Sequence, residues 1–353
     1  MLDYMVVGLG LAGVPFCERL RARQKTFLVF DDDSQCASKV AGGLINPVIL
    51  KRFNLAWRAQ EHLPLALEFY RSLETALGQP LLEPQTILRR FVSVDEQNRW
   101  FEATEKPSVR PYLCDTVVPN ANPYIKAPLG FGKVLGAHRL DTQGMLAAYS
   151  DLLRKMGCLK REHFDHAQVG IHQHHLSYKG VQARHLVFAD GFGLKGNPFF
   201  KYLPMQGSKG EYLIISSEAL GERSAIKSAI FILPLGNHRY KVGANYNRTD
   251  KTNVPTGPGR EKLLSQLQEV INCSFSVVNH VAGVRPTVAD RRPLVGRHPV
   301  HERVWTLNGF GSHGLTTAPW AAQRLYGHIE KGSPLSPEVD VKRYANSYPE
   351  TEP

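Results

Sequence analysis

The chain opens with DYMVVGLGLAG at residues 3–13, an apolar run that leads at once into three glycines spaced as GxGxxG. Residues 14–23 then place apolar and basic side chains at helical spacing, and the apolar, β-prone run at 26–30 ends on Asp31. The order strand, glycine turn, helix, strand and acid is typical of the first unit of a dinucleotide-binding domain. The stretch therefore predicts an α/β protein with a Rossmann-type nucleotide site at its start.

Each glycine has a separate task in that unit. Gly8 allows the tight turn out of the strand, Gly10 leaves room for a pyrophosphate beside the backbone, and Gly13 lets helix and strand pack closely. The helix N-terminus offers free N–H groups and a partial positive charge to the phosphates. Asp31 stands near the place where an acid accepts hydrogen bonds from ribose hydroxyls. The alternative is a plain strand–helix turn whose glycines serve packing alone.

Size and composition indicate a globular protein of two domains. The 353 residues are 42% hydrophobic and 21% charged, and no apolar run approaches the roughly 20 residues that span a bilayer. No signal peptide precedes the first strand, and the five scattered cysteines form no CxxC pair, so we expect a cytoplasmic protein with reduced thiols. The net charge of +11 fits a polyanionic partner or a basic surface, and the scattered lysines and arginines favour the surface.

The rest of the chain repeats the strand-to-glycine pattern around a β-rich insertion. Apolar residues 185–189 run into Asp190-Gly191, and residues 304–307 run into NGFGSHG ahead of a helix at 315–329. Between them, about residues 196–283 show paired strands and one amphipathic helix, as in a second domain inserted in the first.

Shorter segments are harder to assign from sequence. Residues 80–136 read as short strands and loops, with one strand at 87–94, and residues 162–164 read as another brief strand ahead of a hairpin. His172, His174 and His175 fall on that hairpin without a carboxylate or cysteine set at ligand spacing, so we expect no metal site.

Together these motifs resemble the FAD-dependent amine and amino-acid oxidases, the family of D-amino-acid oxidase, glycine oxidase and sarcosine oxidase. The most specific pieces are GVRP at 283–286, DRRPLVG at 290–296 and NGFGSHGLT at 308–316. The resemblance implies an α/β fold with a Rossmann-type FAD-binding domain and an inserted antiparallel α+β substrate domain. The implied boundaries are residues 1–80, 137–195 and 284–345 for the FAD-binding domain, and residues 81–136 and 196–283 for the substrate domain.

The resemblance also implies which residues hold FAD. The C-terminal glycine loop and helix start would lie against the flavin, where a helix N-terminus stabilises the negative charge of its reduced form. The backbone of Phe164 would lie near the adenine. No cysteine follows Cys273, so we expect FAD to be held noncovalently. The implied FAD contacts are Gly8, Gly10, Leu11, Ala12, Gly13, Asp31, Asp32, Ser38, Gly42, Gly43, Leu44, Phe164, Ala189, Gly191, Gly309, Gly311, Ser312, His313, Gly314, Leu315 and Thr316.

For the substrate, the resemblance singles out Arg285. A guanidinium group can hold a carboxylate through two parallel charge-assisted bonds; the alternative is an arginine that only ties down a loop. Asn46, Phe231, Tyr246 and Asn247 fall where members of the family line the pocket. The implied reaction oxidises the C–N bond of an amino acid or secondary amine by hydride transfer to flavin N5, giving an imine and then a carbonyl and an amine.

Three alternatives stay open. The chain is also similar to the oxidase domain of the bifunctional enzyme that acts on 5-carboxymethylaminomethyl groups of wobble uridine in tRNA, so tRNA is a possible partner. O2 would be the electron acceptor of an oxidase, whereas an amine dehydrogenase would pass its electrons to another acceptor. A non-catalytic RNA- or protein-binding module that keeps the flavin fold is the third.

Overall fold

The computed structural model describes residues 1–349, which form two large sheets and six helices. The helices are α1 (Gly13–Ala22), α2 (Ala59–Leu77), α3 (Val94–Thr104), α4 (Thr142–Lys155), α5 (Gly257–Gln268) and α6 (Gly314–Lys331). The strands are β1 (Leu2–Val7), β2 (Phe27–Phe30), β3 (Leu44–Ile45), β4 (Val48–Ile49), β5 (Asn54–Leu55), β6 (Leu82–Pro84), β7 (Ile87–Arg90), β8 (Leu113–Val118), β9 (Phe131–Val134), β10 (His138–Leu140), β11 (Leu159–Lys160), β12 (Gly170–Ile171), β13 (Leu176–Tyr178), β14 (Val181–Phe188), β15 (Ser208–Ser216), β16 (Ala225–Lys227), β17 (Phe231–Gly236), β18 (Arg239–Gly243), β19 (Ser276–Arg285), β20 (Leu294–Arg297) and β21 (Val304–Asn308).

The first sheet is built on parallel strands in the order β11-β2-β1-β14-β21. β13 and β20 pair antiparallel with β14 and β21, and β12 pairs with β13. Every residue of β2 and β21 is buried, as expected for parallel strands covered on both faces. One face packs against α1, α2, α4 and α6. Because parallel strands end at the same edge, the loops after β1, β2, β14 and β21 lie side by side.

The turn between β1 and α1 depends on its glycines. Gly8 has a φ of +96°, which residues with a side chain rarely adopt. A Cβ on Gly13 would lie 2.1 Å from the carbonyl oxygen of Gly8, so helix and strand could not pack as closely. Val14, Phe16 and Leu20 of α1 are fully buried. The predicted order of strand, glycine turn, helix and strand is confirmed.

The second sheet has the order β19-β15-β18-β17-β16-β7-β9-β8. Its neighbouring strands run antiparallel except β16 and β7, which are parallel. Its strands come from residues 87–134 and 208–285, on either side of β10 to β14. α5 packs on the core of this sheet through Leu263 and Leu267. The domain boundaries given above remain a prediction.

Two short strands differ from the sequence prediction. The strand predicted at 87–94 ends at Arg90, because Ser93 accepts a hydrogen bond from the Glu96 N–H at 3.2 Å and caps α3. No strand forms at 162–164 in the described chain; the edge position beside β2 is taken by β11, where Leu159 pairs with Val29.

Asp141 caps α4, since its carboxylate accepts a hydrogen bond from the Gly144 N–H at 3.0 Å. Among residues 1–349 no helix is both long and apolar enough to cross a membrane.

Candidate active site

A cavity of about 1160 Å³ lies between the two sheets. On one side it is lined by the loops after β1, β2, β14 and β21, and on the other by one face of the second sheet. Small-molecule sites commonly measure about 300–1,000 Å³. The cavity therefore has room for a dinucleotide together with a second ligand.

At the start of α1 the backbone is open toward the cavity. Within residues 1–349 no side chain caps α1, and none of its first-turn residues is acidic. The Leu11 N–H donates to Ser38 Oγ at 3.0 Å, which holds the loop around Gly10. A Cβ on Gly10 would lie 2.8 Å from that oxygen. The site thus combines a close approach to the backbone with the positive end of a helix, as a pyrophosphate requires.

The acidic residues after β2 are already engaged. Asp31 accepts a hydrogen bond from the Leu9 N–H at 3.2 Å and pairs with Arg161. Burial raises the pKa of Asp31, and the Leu9 N–H and Arg161 oppose that rise. Asp32 contacts His163 Nδ1 at 2.8 Å. Arg161 therefore holds the Asp31 carboxylate in place at the edge of the cavity, where a ribose hydroxyl could share it.

The second glycine loop directs α6 at the same cavity. Gly309 and Gly311 have positive φ values of +77° and +54°, and in the described structure no side chain caps α6. His313 precedes the helix, and burial lowers the pKa of its imidazole, so the ring is neutral near pH 7. Among residues 1–349 no acidic side chain lies in the first turn of α6, so its N-terminus offers a partial positive charge to the cavity.

Asp190 joins the ends of two parallel strands. Asn308 Nδ2 donates to Asp190 Oδ1 at 2.8 Å and to the Gly191 carbonyl at 2.9 Å, and Asn197 Nδ2 donates to Asp190 Oδ2 at 3.0 Å. Burial raises the pKa of Asp190 to about 6, against the opposing effect of these amides. The sequence analysis named Ala189 and Gly191 but missed the hydrogen bonds between Asp190 and Asn308. The available signal was the acid–glycine pair at 190–191 and the asparagine–glycine pair at 308–309, each at the end of a buried strand.

On the opposite wall, Arg285 presents an unused donor. Its Nη1 atom is buried and has no hydrogen-bond partner among residues 1–349. The guanidinium carbon lies 4.7 Å from the ring centroid of Tyr246, a cation–π contact. The group rests over Gly210, where a Cβ would lie 2.0 Å from Nη2. A partly buried guanidinium whose buried Nη1 has no partner is costly alone and favours an anionic ligand.

A second cation beside the cavity was not found from the sequence. Lys241 is 7% exposed, and its Nζ donates to the Ala41 carbonyl at 2.9 Å and to the Val40 carbonyl at 3.5 Å. Burial lowers the pKa of this amine to about 8. Its place between Tyr240 and Val242 in strand β18 was the signal available. The amine holds the segment before Gly42 and Gly43 against the second sheet.

The structure gathers most of the sequence-predicted residues around the cavity. Those that line it are Gly8, Gly10, Leu11, Ala12, Asp31, Asp32, Ser38, Gly42, Gly43, Leu44, Asn46, Phe164, Ala189, Gly191, Phe231, Tyr246, Arg285, Gly311, Ser312, His313, Gly314 and Leu315.

Four predicted residues lie behind that surface. Gly13 packs against Gly8, and Gly309 packs against Val288, where a Cβ would lie 2.7 Å from a methyl group. Thr316 donates from Oγ1 to the His313 carbonyl at 3.1 Å and lines a smaller neighbouring pocket. Asn247 uses its side-chain oxygen to accept hydrogen bonds from the N–H groups of residues 249 and 250. These four support the walls rather than face the ligand space.

Comparison with known proteins agrees with this arrangement. Residues 3–326 match the DAO family model, described as FAD dependent oxidoreductase. Glycine oxidase of Bacillus licheniformis is 26% identical over 165 residues, which are 45% of this chain and 44% of that protein. The tRNA 5-methylaminomethyl-2-thiouridine biosynthesis bifunctional protein of Aromatoleum aromaticum is 25% identical over 371 residues, which are 96% of this chain and 58% of that protein. The matches thus span about half the length of these relatives.

Solved structures give the same fold at lower identity. Glycine oxidase from Geobacillus kaustophilus superposes with a TM-score of 0.80 at 17% identity, over 96% of this chain and 98% of that one. Iminodiacetate oxidase from Chelativorans sp. BNC1 gives 0.76 at 17% identity, over 97% and 98%. At such identities the likeness establishes the fold.

Proposed function

The chain belongs to the DAO family of FAD-dependent oxidoreductases, and from that premise we propose that it oxidises the C–N bond of an amine that carries a carboxylate. Such a substrate is either an amino acid or a secondary amine with a carboxylate group. The observation that carries the proposal is Arg285, whose buried Nη1 has no partner among residues 1–349 and faces the cavity.

The residues present fit FAD. The uncapped start of α1, where Gly10 carries no side chain, suits the pyrophosphate. Asp31 lies at the edge where a ribose would be held, and the uncapped start of α6 suits the electron-rich part of a reduced flavin. We propose that these groups bind the cofactor without a covalent link.

The protein's part in the reaction is to bind and orient. Arg285 would hold the substrate carboxylate through two parallel bonds, and Tyr246 would keep the guanidinium in plane by stacking on it. Tyr212 and Phe231 of the second sheet line the same cavity, and their rings would limit the access of water to a substrate held there. The chemistry that bound FAD would supply is acceptance of a hydride from the substrate carbon next to the nitrogen. Water then hydrolyses the imine to a carbonyl compound and an amine.

A second candidate function is oxidation of a wobble-uridine side chain in tRNA. It is favoured by the alignment with the bifunctional tRNA-modification protein, which covers 96% of this chain, whereas the glycine oxidase match covers 45%. A 5-carboxymethylaminomethyl group is chemically a glycine attached to a nucleoside, so Arg285 could bind its carboxylate as well. The net charge of +11 would also favour RNA.

The test is the visible spectrum of purified holoenzyme under anaerobic conditions with glycine, sarcosine, D-amino acids and L-proline. Bleaching of the flavin peaks by one of these amines supports a free substrate. Bleaching only by an anticodon stem-loop with the carboxymethylaminomethyl group supports the second candidate. A protein that cannot take up FAD, or a flavin that resists every amine and RNA tested, overturns both. Peroxide yield in air then separates an oxidase from a dehydrogenase with another acceptor.

A further inference from the structure

Four side chains form a row across the second sheet on the face that lines the cavity. Through Gly243, the register pairs Tyr212 of β15 with Phe231 of β17, and Phe231 pairs with Lys227 of β16. Lys227 pairs in turn with Arg89 of β7. Directly paired residues share one face of a sheet, and Tyr212, Phe231, Lys227 and Arg89 all line the cavity. The row therefore lines the same cavity as Arg285 and leads away from Arg285 across the second sheet.

The two cations at the far end of the row differ in their partners. Arg89 Nε donates to Glu96 at 2.9 Å and Nη1 donates to the Ser228 carbonyl at 2.8 Å, so its charge is neutralised in place. Lys227 Nζ has one hydrogen bond, to the Ala229 carbonyl at 3.3 Å, and lies 4.6 Å from the ring centroid of Phe231. Within residues 1–349 no carboxylate pairs with it.

The burial of Lys227 and the other cations of the cavity also favour an anionic ligand. Burial, followed by the charge of Arg89, lowers the pKa of Lys227 to about 8, so the amine is still mostly protonated at pH 7. Lys51 and Arg99 line the same cavity, and Arg99 already pairs with Asp95. Within the described residues no anion pairs with the half-buried ammonium of Lys227, so its positive charge in the cavity is unbalanced.

We infer that Lys227 forms a second anion-binding subsite, which takes a phosphate or carboxylate at the end of the substrate opposite the carboxylate held by Arg285. This inference rests on the proposed function and deepens it. The substrate would be a long amine with anions at both ends, either a free dianion or a modified nucleotide whose phosphate reaches Lys227.

The separation of the two cations sets the length of that substrate. Arg285 rests over Gly210, two residues along β15 from Tyr212, and Lys227 Nζ lies over Phe231, two strands away. With about 4.8 Å between strands and about 3.4 Å per residue, the cationic groups are roughly 12 Å apart. Glycine and sarcosine are too short to reach both, so they would occupy the Arg285 end alone.

The test uses matched non-reactive ligands on the oxidised holoenzyme, so that no turnover is needed. Octanoate has one carboxylate, and suberate has the same chain with a carboxylate at each end. Their dissociation constants are read from the shift of the flavin absorbance. We expect suberate to bind about tenfold more tightly than octanoate to the native protein. Lys227→Met should abolish that preference while leaving octanoate binding and flavin content unchanged, and Lys227→Arg should restore part of it.

Lys262→Met is the control, because Lys262 is exposed on α5 and does not line the cavity. Equal binding of suberate and octanoate by the native protein, or a suberate preference that survives Lys227→Met, overturns the subsite. Loss of FAD in Lys227→Met also overturns it, since the amine would then serve the cofactor. If octanoate itself fails to shift the flavin spectrum, Arg285 does not bind carboxylates. That result contradicts the proposed function and not the Lys227 subsite alone.

The source of the second anion is decided by a second pair of ligands. The 5-carboxymethylaminomethyl-uridine nucleoside lacks a phosphate, and its 5′-monophosphate carries one. If the monophosphate reduces the flavin at least tenfold faster than the nucleoside and Lys227→Met removes the difference, the anion is a nucleotide phosphate. If only long dicarboxylic amines show this dependence on Lys227, the anion is a carboxylate of a free substrate. If neither pair depends on Lys227, the inference is wrong.

Discussion

Replacement of Arg285 by methionine separates a substrate anchor from a structural arginine. The side chain makes no hydrogen bond through its buried Nη1 within residues 1–349 and stacks on Tyr246. Two charge-assisted bonds to a substrate carboxylate are together worth about 3–6 kcal/mol. At 1.36 kcal/mol for each factor of ten, Arg285→Met should slow reduction of the flavin by a carboxylated amine roughly a hundredfold to ten-thousandfold.

Stability should respond differently from activity. Loss of an exposed cation–π contact costs about 0.5–1 kcal/mol, whereas removal of a buried donor without a partner relieves about 1–3 kcal/mol. We therefore expect the thermal midpoint of Arg285→Met to stay level or rise slightly. An arginine that held a loop in place would show the reverse, with a lower midpoint.

The assay is anaerobic stopped-flow reduction of the flavin, with each carboxylated amine compared with its neutral amide. The amide cannot form the ion pair with Arg285. The rates at which it reduces the flavin of the native protein and of Arg285→Met should therefore differ by less than about tenfold. Arg239→Met is the control, since Arg239 is exposed and does not line the cavity. An equal loss for carboxylate and amide, or no loss for either, would refute the assignment of Arg285.

Three further predictions concern the wall of the second sheet. Gly210→Ala should displace the Arg285 guanidinium, since the new Cβ would lie 2.0 Å from Nη2; we expect at least a tenfold weaker substrate interaction in stopped flow with normal flavin content, and unchanged kinetics would contradict it. Glu96→Ala should leave Arg89 buried without its partner and cost about 3–5 kcal/mol in urea unfolding, because the two side chains are only 6% and 12% exposed; a loss below about 1 kcal/mol would be inconsistent with a buried pair. Lys227→Met should stabilise the ligand-free protein by about 1–2 kcal/mol at pH 7, after allowance for solvent screening. Burial penalises the charged amine below its folded pKa of about 8, so this gain should shrink as pH rises from there toward the unfolded pKa of 10.5, and a gain that grew with pH would have the wrong sign.

The nucleotide-binding part of the fold could be predicted from sequence because its signals are local. The glycines at 8, 10 and 13 act within one turn, and the loop before α6 repeats the same pattern. Such a pattern is written in consecutive residues and needs no knowledge of distant neighbours. Short segments carry weaker signals: residues 162–164, Glu-His-Phe, form no strand in the described chain, and β11 pairs with β2 instead.

The far end of the substrate wall could not be predicted, because it depends on strand pairing between distant parts of the chain. Lys227 meets Arg89 only because β16 pairs with β7, and Arg89 is neutralised only because α3 brings Glu96 beside it. Nothing in the sequence near residue 227 indicates either contact. Asn247 shows the opposite case, since a polar residue close to Tyr246 in sequence turns away and caps its own loop.

The most direct test of the proposed chemistry is the stoichiometry of one anaerobic turnover in the holoenzyme. Flavin absorbance and released carbonyl compound are measured together after mixing with a carboxylated amine, free or attached to an anticodon stem-loop. Oxidation of the C–N bond predicts one equivalent of carbonyl compound for each FAD reduced. A flavin that stays oxidised with every such amine, or that bleaches without release of a carbonyl compound, would contradict it.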